Sequence, residues 1–424
     1  DLRFRDASET QELNYEIEKW DPTGTSYVWV QIPRITGPGD FIWAYWGDSA
    51  RSTQLPCTTN GATWSEKYAA VWHLHDRADN TRAVDSSSNR CHAANSGSLN
   101  ATGLFADGQS FSGSTSYSAG TPNALKITGS QTISLWLRPN DFGGRRNPIA
   151  KAYGGEGSIT IETTGQVNYF YGTAGADNTP YQSITLTDPL QAGAWSHLGL
   201  VRDLGSMTLR WVKNGTAADQ VAASYAAAVA SAQNFTIGTG YAGSFVGLMD
   251  EIRGSSAVRS TNWLWAEWFN AASNSLFNSY GAVSGLPMVS NAPATWVADT
   301  SARLNGYLTS AGGDPNAVVW VCWGETDGGT NRAGWSFVNE WPAPVAEGAY
   351  SLRASLTAGR TYWYRFAASN ALGEVWANSA EGLFTGEVTV EAVSNAMELG
   401  SIPGAFRVTR PAWATNTAAT VPYT

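Results

Sequence analysis

Ile133-Ser134-Leu135-Trp136-Leu137-Arg138-Pro139 and Trp195-Ser196-His197-Leu198-Gly199-Leu200-Val201-Arg202 are the stretches on which the fold turns. In both, apolar side chains return at every second position, the period of a strand with one face in a core. Val71-Trp72-His73-Leu74 and Gly247-Leu248-Met249-Asp250-Glu251-Ile252-Arg253 are two further segments of this kind. Leu209-Arg210-Trp211-Val212-Lys213 ends in Asn214-Gly215, a pair suited to a two-residue hairpin turn. Only Asn262–Phe269 reads as a helix, with Trp265, Trp268 and Phe269 at i, i+3 and i+4 predicting one apolar packing face.

The composition extends this reading to the whole chain. Its 424 residues include 44 Gly and 20 Trp but only 14% charged residues. Aromatics favour pleated, half-buried surfaces, and Gly, Asn, Ser and Thr supply turns. Many short strands in sandwiches follow, in two to four domains. The net charge is -9 and there are five lysines and no basic run, which excludes a nucleic-acid-binding face. The Ala-rich run Tyr225–Ala232 is too short to span a bilayer. The three cysteines form no disulfide framework. Alternation in Val318–Trp323 makes Cys322 a core thiol, while Cys57 and Cys91 are left either paired or free. Asn100, Asn214 and Asn234 are glycosylation sequons, of consequence only in a glycosylating host.

Four segments emerge. Residues 1–67 hold strands Tyr27–Pro33 and Phe41–Gly47, about half a sandwich. This part opens in Asp1-Leu2-Arg3-Phe4, already strand-like, so further strands are expected from outside it. Residues 68–283 carry the stretches quoted first, and residues 286–387 are the size of an immunoglobulin-like sandwich. Residues 388–424 are too short for a complete core.

Residues 1–67, in Asp1–Pro33 followed by Ile42–Asp48, resemble a bacterial domain of unknown function that precedes laminin-G-like domains in large surface proteins. The four quoted segments, with Leu104–Tyr117, resemble a laminin-G-like, concanavalin-type jelly roll in order and spacing. Leu356–Phe366 resembles fibronectin type III, which places Tyr362 at a tyrosine corner with its hydroxyl bonded to backbone. Gly404–Thr424 resembles the opening of a calcium-exchanger-type β domain. The fold class is therefore all-β: a jelly-roll sandwich plus smaller immunoglobulin-like β-sandwiches.

The jelly-roll resemblance implies a structural calcium. Asp85-Ser86-Ser87-Ser88-Asn89 is similar to the family's Asp-x-Ser-Gly-Asn loop, and Asp250 stands where an Asp completes the site. Asp85, Asn89 and Asp250 are the candidate ligands, since a hard cation takes carboxylate and carbonyl oxygens. Ser88 in place of Gly, with Arg90 and Cys91, departs from that pattern, and Asp85 equally suits a turn cap. His73 and His75 would share a strand face as a metal pair with Asp76, or serve the strand motif itself. Glu16 and Glu18 share a face beside Lys19 and read as solvated. The Glu-x-Asp-x-x-Glu pattern that would pair a glycosidase's carboxylates on one strand is missing, and Glu156 and Glu162 stand alone.

Sugar binding needs aromatic platforms. Tyr169 and Tyr171 share a face of Asn168-Tyr169-Phe170-Tyr171, and Tyr153 and Tyr181 join them as candidates, against core packing as the alternative. The sequence thus points to a non-catalytic carbohydrate-binding or adhesion segment of a large secreted or cell-surface bacterial protein. Its partner would be a glycan or a neighbouring surface protein. Two alternatives stand beside it: a self-associating repeat of a surface layer or filament, and a polysaccharide-degrading enzyme.

Overall fold

The computed structural model describes residues 1–21, 24–48, 51, 53–75, 79–281, 284–386, 389–394 and 403–409. Asp76 and most of residues 388–424 lie outside them. Residues 1–279 form one compact unit and residues 280–424 another.

The first unit is built on two eight-stranded antiparallel sheets. The first sheet runs Tyr181–Leu186, Val167–Gly172, Gly157–Ile161, Arg146–Ala152, Phe235–Ile237, Ser116–Gly120, Ala93–Ser96, Arg82–Ala83. The second runs Thr216–Ala222, Thr208–Lys213, Ser196–Asp203, Gln131–Pro139, Val246–Ser255, then Asp107–Ser112 and Leu99–Thr102, with Tyr68–Trp72 also pairing Val246–Ser255. Leu135, Leu137, Leu198 and Leu200 meet Ile159, Ile161, Tyr169 and Ile237 in one core, as strict alternation requires. The hairpin after Lys213 has positive φ at both Asn214 (48°) and Gly215 (73°).

The second sheet is buried on its other face too: Ser134 and Trp136 are as enclosed as their inward neighbours. Part of the cover is the helix Thr261–Ala272, capped by Ser260, whose hydroxyl accepts from Trp263 N–H at 3.1 Å. Its anchor is not the Trp265/Trp268/Phe269 stripe. Leu264 alone is fully buried, against Val201 and Val212. A Cβ on Gly199 would lie 2.6 Å from Leu264, so the sheet needs glycine for this approach. Trp265 instead stacks on Phe269 at 5.1 Å and stays 44% exposed.

The rest of the cover comes from residues 1–64. Here Arg3–Asp6 pairs Ile42–Tyr45, and Tyr15–Lys19 pairs Tyr27–Val30. Phe4, Leu13, Tyr15 and Cys57 form a small core that takes in Ile17. The opposite face of Tyr15–Lys19 therefore turns Glu16 and Glu18 towards the jelly roll. They are not a solvated face: the Glu18 side chain is 2% exposed.

In residues 280–424, a three-stranded sheet (Met288–Ala298, Ser301–Ser310, Gly348–Ser355) packs on a five-stranded one (Phe337–Trp341, Val318–Gly324, Thr361–Asn370, Gly373–Trp376, Glu381–Phe384). Leu304, Leu308, Val319, Val321, Tyr364 and Phe366 fill the space between. The Tyr362 hydroxyl accepts from Thr357 N–H at 3.0 Å. Cys57, Cys91 and Cys322 are all buried and free.

Candidate functional site

The strand Val167–Gly172 decides where aromatics reach solvent. Tyr169 and Tyr171 do share a face, but it is the core face, and both are fully buried. Tyr169 Oη donates to the Glu156 carbonyl at 3.0 Å and accepts from Gln131 (2.6 Å) and Arg202 (2.9 Å). Burial pushes its phenol up to about 12. Tyr171 bonds the Tyr225 carbonyl. Neither can stack a sugar. The alternation hands that role to Phe170, which points the other way.

On that outer face Phe170 meets Tyr181 (ring centroids 5.6 Å apart) and Tyr241 (6.1 Å). Tyr153 closes the group, 5.1 Å from Tyr181 and 4.5 Å from Tyr241. Tyr181 is 41% exposed and Tyr241 36%, so the cluster presents ring surface. Tyr241 is held by its hydroxyl against Thr160 Oγ1 at 2.8 Å and by the Arg145 guanidinium 5.8 Å from its ring. The sequence did not single out Tyr241 or Phe170.

Beside the rings lies a cleft of about 390 Å³, lined by Lys151, Asp177, Gln233, Asn234, Thr239 and Tyr241 among others. Asp177 organises it: one oxygen accepts Tyr153 N–H at 2.9 Å, the other Gln233 Nε2 at 3.1 Å. The loop carrying Asp177 lies so close to Gly154 that a Cβ there would sit 2.0 Å from the Asn178 carbonyl oxygen. Lys151 donates to the Gln233 carbonyl at 2.8 Å and pairs Glu156 at 3.4 Å, and burial lowers its ammonium. The nearby carboxylate of Glu162 is bound by Arg145 (2.8 and 3.1 Å) and Asn168 (2.9 Å). Exposed rings beside fixed amide, hydroxyl and carboxyl groups suit a polar ligand with an apolar face.

Of the calcium candidates, Asp85 and Asn89 both bond Ser87, and Asp250 bonds a separate set of groups. Asp85 accepts from Val71 N, Ser87 N and Oγ, and Cys91 N at 2.6–2.9 Å, the bonds of a turn cap. Asn89 directs its amide NH₂ to the Tyr68 and Ala69 carbonyls. Asp250 accepts from Leu104, Phe105 and Glu251 N–H groups. The Asp85 and Asp250 carboxylates are thus held by different donors and the Asn89 amide NH₂ by carbonyls, so hydrogen bonds within the protein account for all three side chains.

His73 and His75 also part company. The strand ends at Trp72, and Leu74 has φ +61°, which breaks the alternation. His75 Nδ1 lies 3.1 Å from Asp107. His73 turns into a buried ionic network beneath residues 1–64. Its Nδ1 is 2.6 Å from Glu251 Oε1 and 3.8 Å from Glu18 Oε2, and its Nε2 is 3.6 Å from Glu16 Oε2. Glu251 also pairs Arg253 at 2.5 Å, and Arg253 reaches Glu267 of the helix at 3.5 Å. Trp29 stacks on His73, and Arg253 lies 4.6 Å from the Trp29 ring and 5.0 Å from Trp64. Burial alone would pull the His73 imidazole down; the Glu251 charge and the Glu16 and Glu18 carboxylates outweigh it and hold it well above its ordinary value. Burial, with the Glu251 charge, raises Glu18 to about 7.

A bulge explains why this network escapes a reading by alternation. Glu251 has φ +49°, and the register against Gln131–Pro139 slips there. Met249 and Ile252, three apart, thus both enter the core, and Arg253 faces the network.

Residues 111–264 match the family model of the concanavalin A-like lectin/glucanases superfamily, and residues 1–82 match a domain of unknown function, DUF2341. No curated protein matches the chain. Among solved structures, the chain is similar to domain 4 of AbnA, a GH43 extracellular arabinanase from Geobacillus stearothermophilus, in complex with arabinotriose. That likeness has 16% identity and a TM-score of 0.37 over 47% of this chain and 97% of that one. The Ruminococcus gnavus IT-sialidase CBM40 bound to α2,3 sialyllactose gives 14% identity and a TM-score of 0.31 over 34% and 86%. The botulinum neurotoxin serotype D/C binding domain gives 9% identity and a TM-score of 0.40 over 82% and 79%. The chain thus carries a concanavalin A-like jelly roll of the laminin-G type behind a DUF2341 domain.

Proposed function

We propose that the jelly roll is a non-catalytic glycan-binding module of a protein that works outside the cell. The observation that carries this reading is the exposed cluster of Tyr153, Phe170, Tyr181 and Tyr241 beside the Asp177 cleft. Sugar rings offer apolar C–H faces to such rings and hydroxyls to Asp177, Gln233, Asn234 and Thr239. Binding is favoured over catalysis because Asp177 and Glu162 are both engaged by neighbouring donors.

The test is a glycan-array screen of the full chain, with and without chelator, followed by titration of the best hit. Tyr241→Ala and Tyr181→Ala should each weaken binding about tenfold, the loss of roughly 1.4 kcal/mol that a stacking contact of moderate strength supplies. Chelator should leave binding unchanged. No glycan bound, or binding indifferent to both substitutions, would sink the proposal.

A self-associating repeat is the second reading. Phe41, Trp43, Tyr45 and Trp46 are 53%, 40%, 39% and 57% exposed, and Ile42–Tyr45 pairs on one edge only among the described strands. Concentration-dependent sedimentation, abolished by Trp43→Lys, would favour it.

A further inference from the structure

We propose that Glu18, His73 and Glu251 form a site for one divalent cation of the zinc class, at the seam between residues 1–64 and the jelly roll. Each offers one donor atom, and the three atoms lie within 4.8 Å of one another. They come from three separate elements: the strand Tyr15–Lys19, the turn after Trp72, and the bulge in Val246–Ser255.

One buried atom points to a missing partner. Glu18 Oε1 finds no hydrogen-bond partner among the described residues, although its side chain is more than nine-tenths buried, whereas His73 Nε2 faces Glu16. An unsatisfied buried carboxylate oxygen costs free energy. Charge points the same way. Glu16, Glu18, Asp250, Glu251 and Glu267 gather around Arg253 and His73, so acids outnumber bases. A divalent ion on a neutral imidazole would offset part of that excess of acids.

The donor set selects the ion. One imidazole nitrogen and two carboxylate oxygens suit zinc, whereas calcium takes six to eight oxygens. A cation about 2.0–2.2 Å from each donor would hold the donors about 3.3–3.5 Å apart in tetrahedral geometry. Glu251, at 2.6 Å from His73, must draw back by under about 1 Å, and Glu18, at 3.8 Å, must close in slightly. Both movements are within side-chain reach. Outer partners already orient the ligands: Trp29 Nε1 donates to Glu18 Oε2 at 2.7 Å, and Arg253 holds Glu251 Oε2 at 2.5 Å. The ion would tie the DUF2341 domain to the jelly roll, and it is independent of glycan binding.

The experiment is equilibrium dialysis of the full, chelator-stripped chain against Zn²⁺ at about pH 7.5 and again in more alkaline buffer, because the proton held on His73 competes with the ion. One equivalent should bind per chain, and the melting temperature of residues 1–279 should rise. Glu18→Gln and His73→Gln, checked for native near-UV circular dichroism, should each bind at least tenfold more weakly. His92→Gln should bind as the wild type does. If either cluster variant fails to fold, X-ray absorption of the zinc-loaded wild type decides, with one imidazole nitrogen and carboxylate oxygens as the expected shell. No stoichiometric uptake by the wild type, undiminished uptake by both folded variants, or a shell containing sulfur or several imidazoles would overturn the proposal; His73 would then be an imidazolium held by its carboxylates.

Discussion

His197 should make the metal-free protein lose stability in mild acid, and by an amount that can be worked out. Its ring is 2% exposed, packed 5.2 Å from Trp136, and Nδ1 has no hydrogen-bond partner among the described residues. Burial pushes it down to about 4; Glu267, 3.8 Å from Nε2, pulls the other way, but Arg253 adds to the depression. The unfolded chain holds its proton near 6.5. Between those values the unfolded state binds the proton and the native state does not, so acid favours unfolding. The stabilisation is complete above about pH 6.5 and falls as pH drops towards 4. By pH 4.5 about 2.5 kcal/mol is gone, from linkage over a gap of about 2.5 units.

His197→Gln removes the titration and leaves the surrounding carboxylates in place. Urea unfolding of both proteins, followed at the transition of residues 1–279, gives a stability difference at each pH. That difference should shrink in the wild type's disfavour by about 2.5 kcal/mol between pH 7 and pH 4.5. With only four histidines, histidine-selective NMR gives an independent check. The His197 resonance should stay neutral at pH 5.5, while His73 in the same network stays protonated at neutral pH. A His197 midpoint near 6.5, or a stability difference that does not change with pH, would refute the reasoning.

Two further outcomes follow from buried hydrogen bonds. Arg202 is fully buried and donates to Gly129, Glu156 and Ile127 carbonyls and to the Tyr169 hydroxyl at 2.6–2.9 Å. Arg202→Met should therefore cost about 3–5 kcal/mol and lower the melting temperature of residues 1–279 by roughly 10 °C, read by calorimetry. A loss below about 1 kcal/mol would mean the freed carbonyls find other donors. Tyr362→Phe deletes only the acceptor for Thr357 N–H, so it should cost about 1 kcal/mol, confined to the transition of residues 280–424. A shift in the other unit's transition would show the assignment of that bond to be wrong.

The strands were readable because a period of two reports which side chains share a face. That is why Leu135 with Leu137, and Leu198 with Leu200, lie together in the core as their spacing implies. The same period is silent about which face is the inner one. Tyr169 and Tyr171 were correctly placed together, yet on the wrong side of the sheet, and Phe170 inherited the outer face. Tyr241 left only an indirect trace: Gly238, Gly240 and Gly243 surround it, and a Cβ on Gly240 would fall 2.5 Å from Ala150. Glycines crowded against a strand mark a loop laid on a sheet, which is where a ring beside a cleft is to be sought.

Glu16 and Glu18 failed for a different reason, and the failure carries the functional argument further. A strand of Tyr15-Glu16-Ile17-Glu18-Lys19 in an isolated small domain would put its charged face in water, because nothing local opposes it. What opposes it comes from further along the chain: His73, Glu251 and Arg253 are brought to that face, where Trp29 and Trp64 flank them. Two carboxylates buried there would be destabilising unless the jelly roll supplied their partners, so their pairing fixes how the two faces meet. The DUF2341 domain and the jelly roll therefore meet across paired charges and packed rings, and the glycan-binding face proposed above lies on the first sheet, leaving the second sheet to this joint.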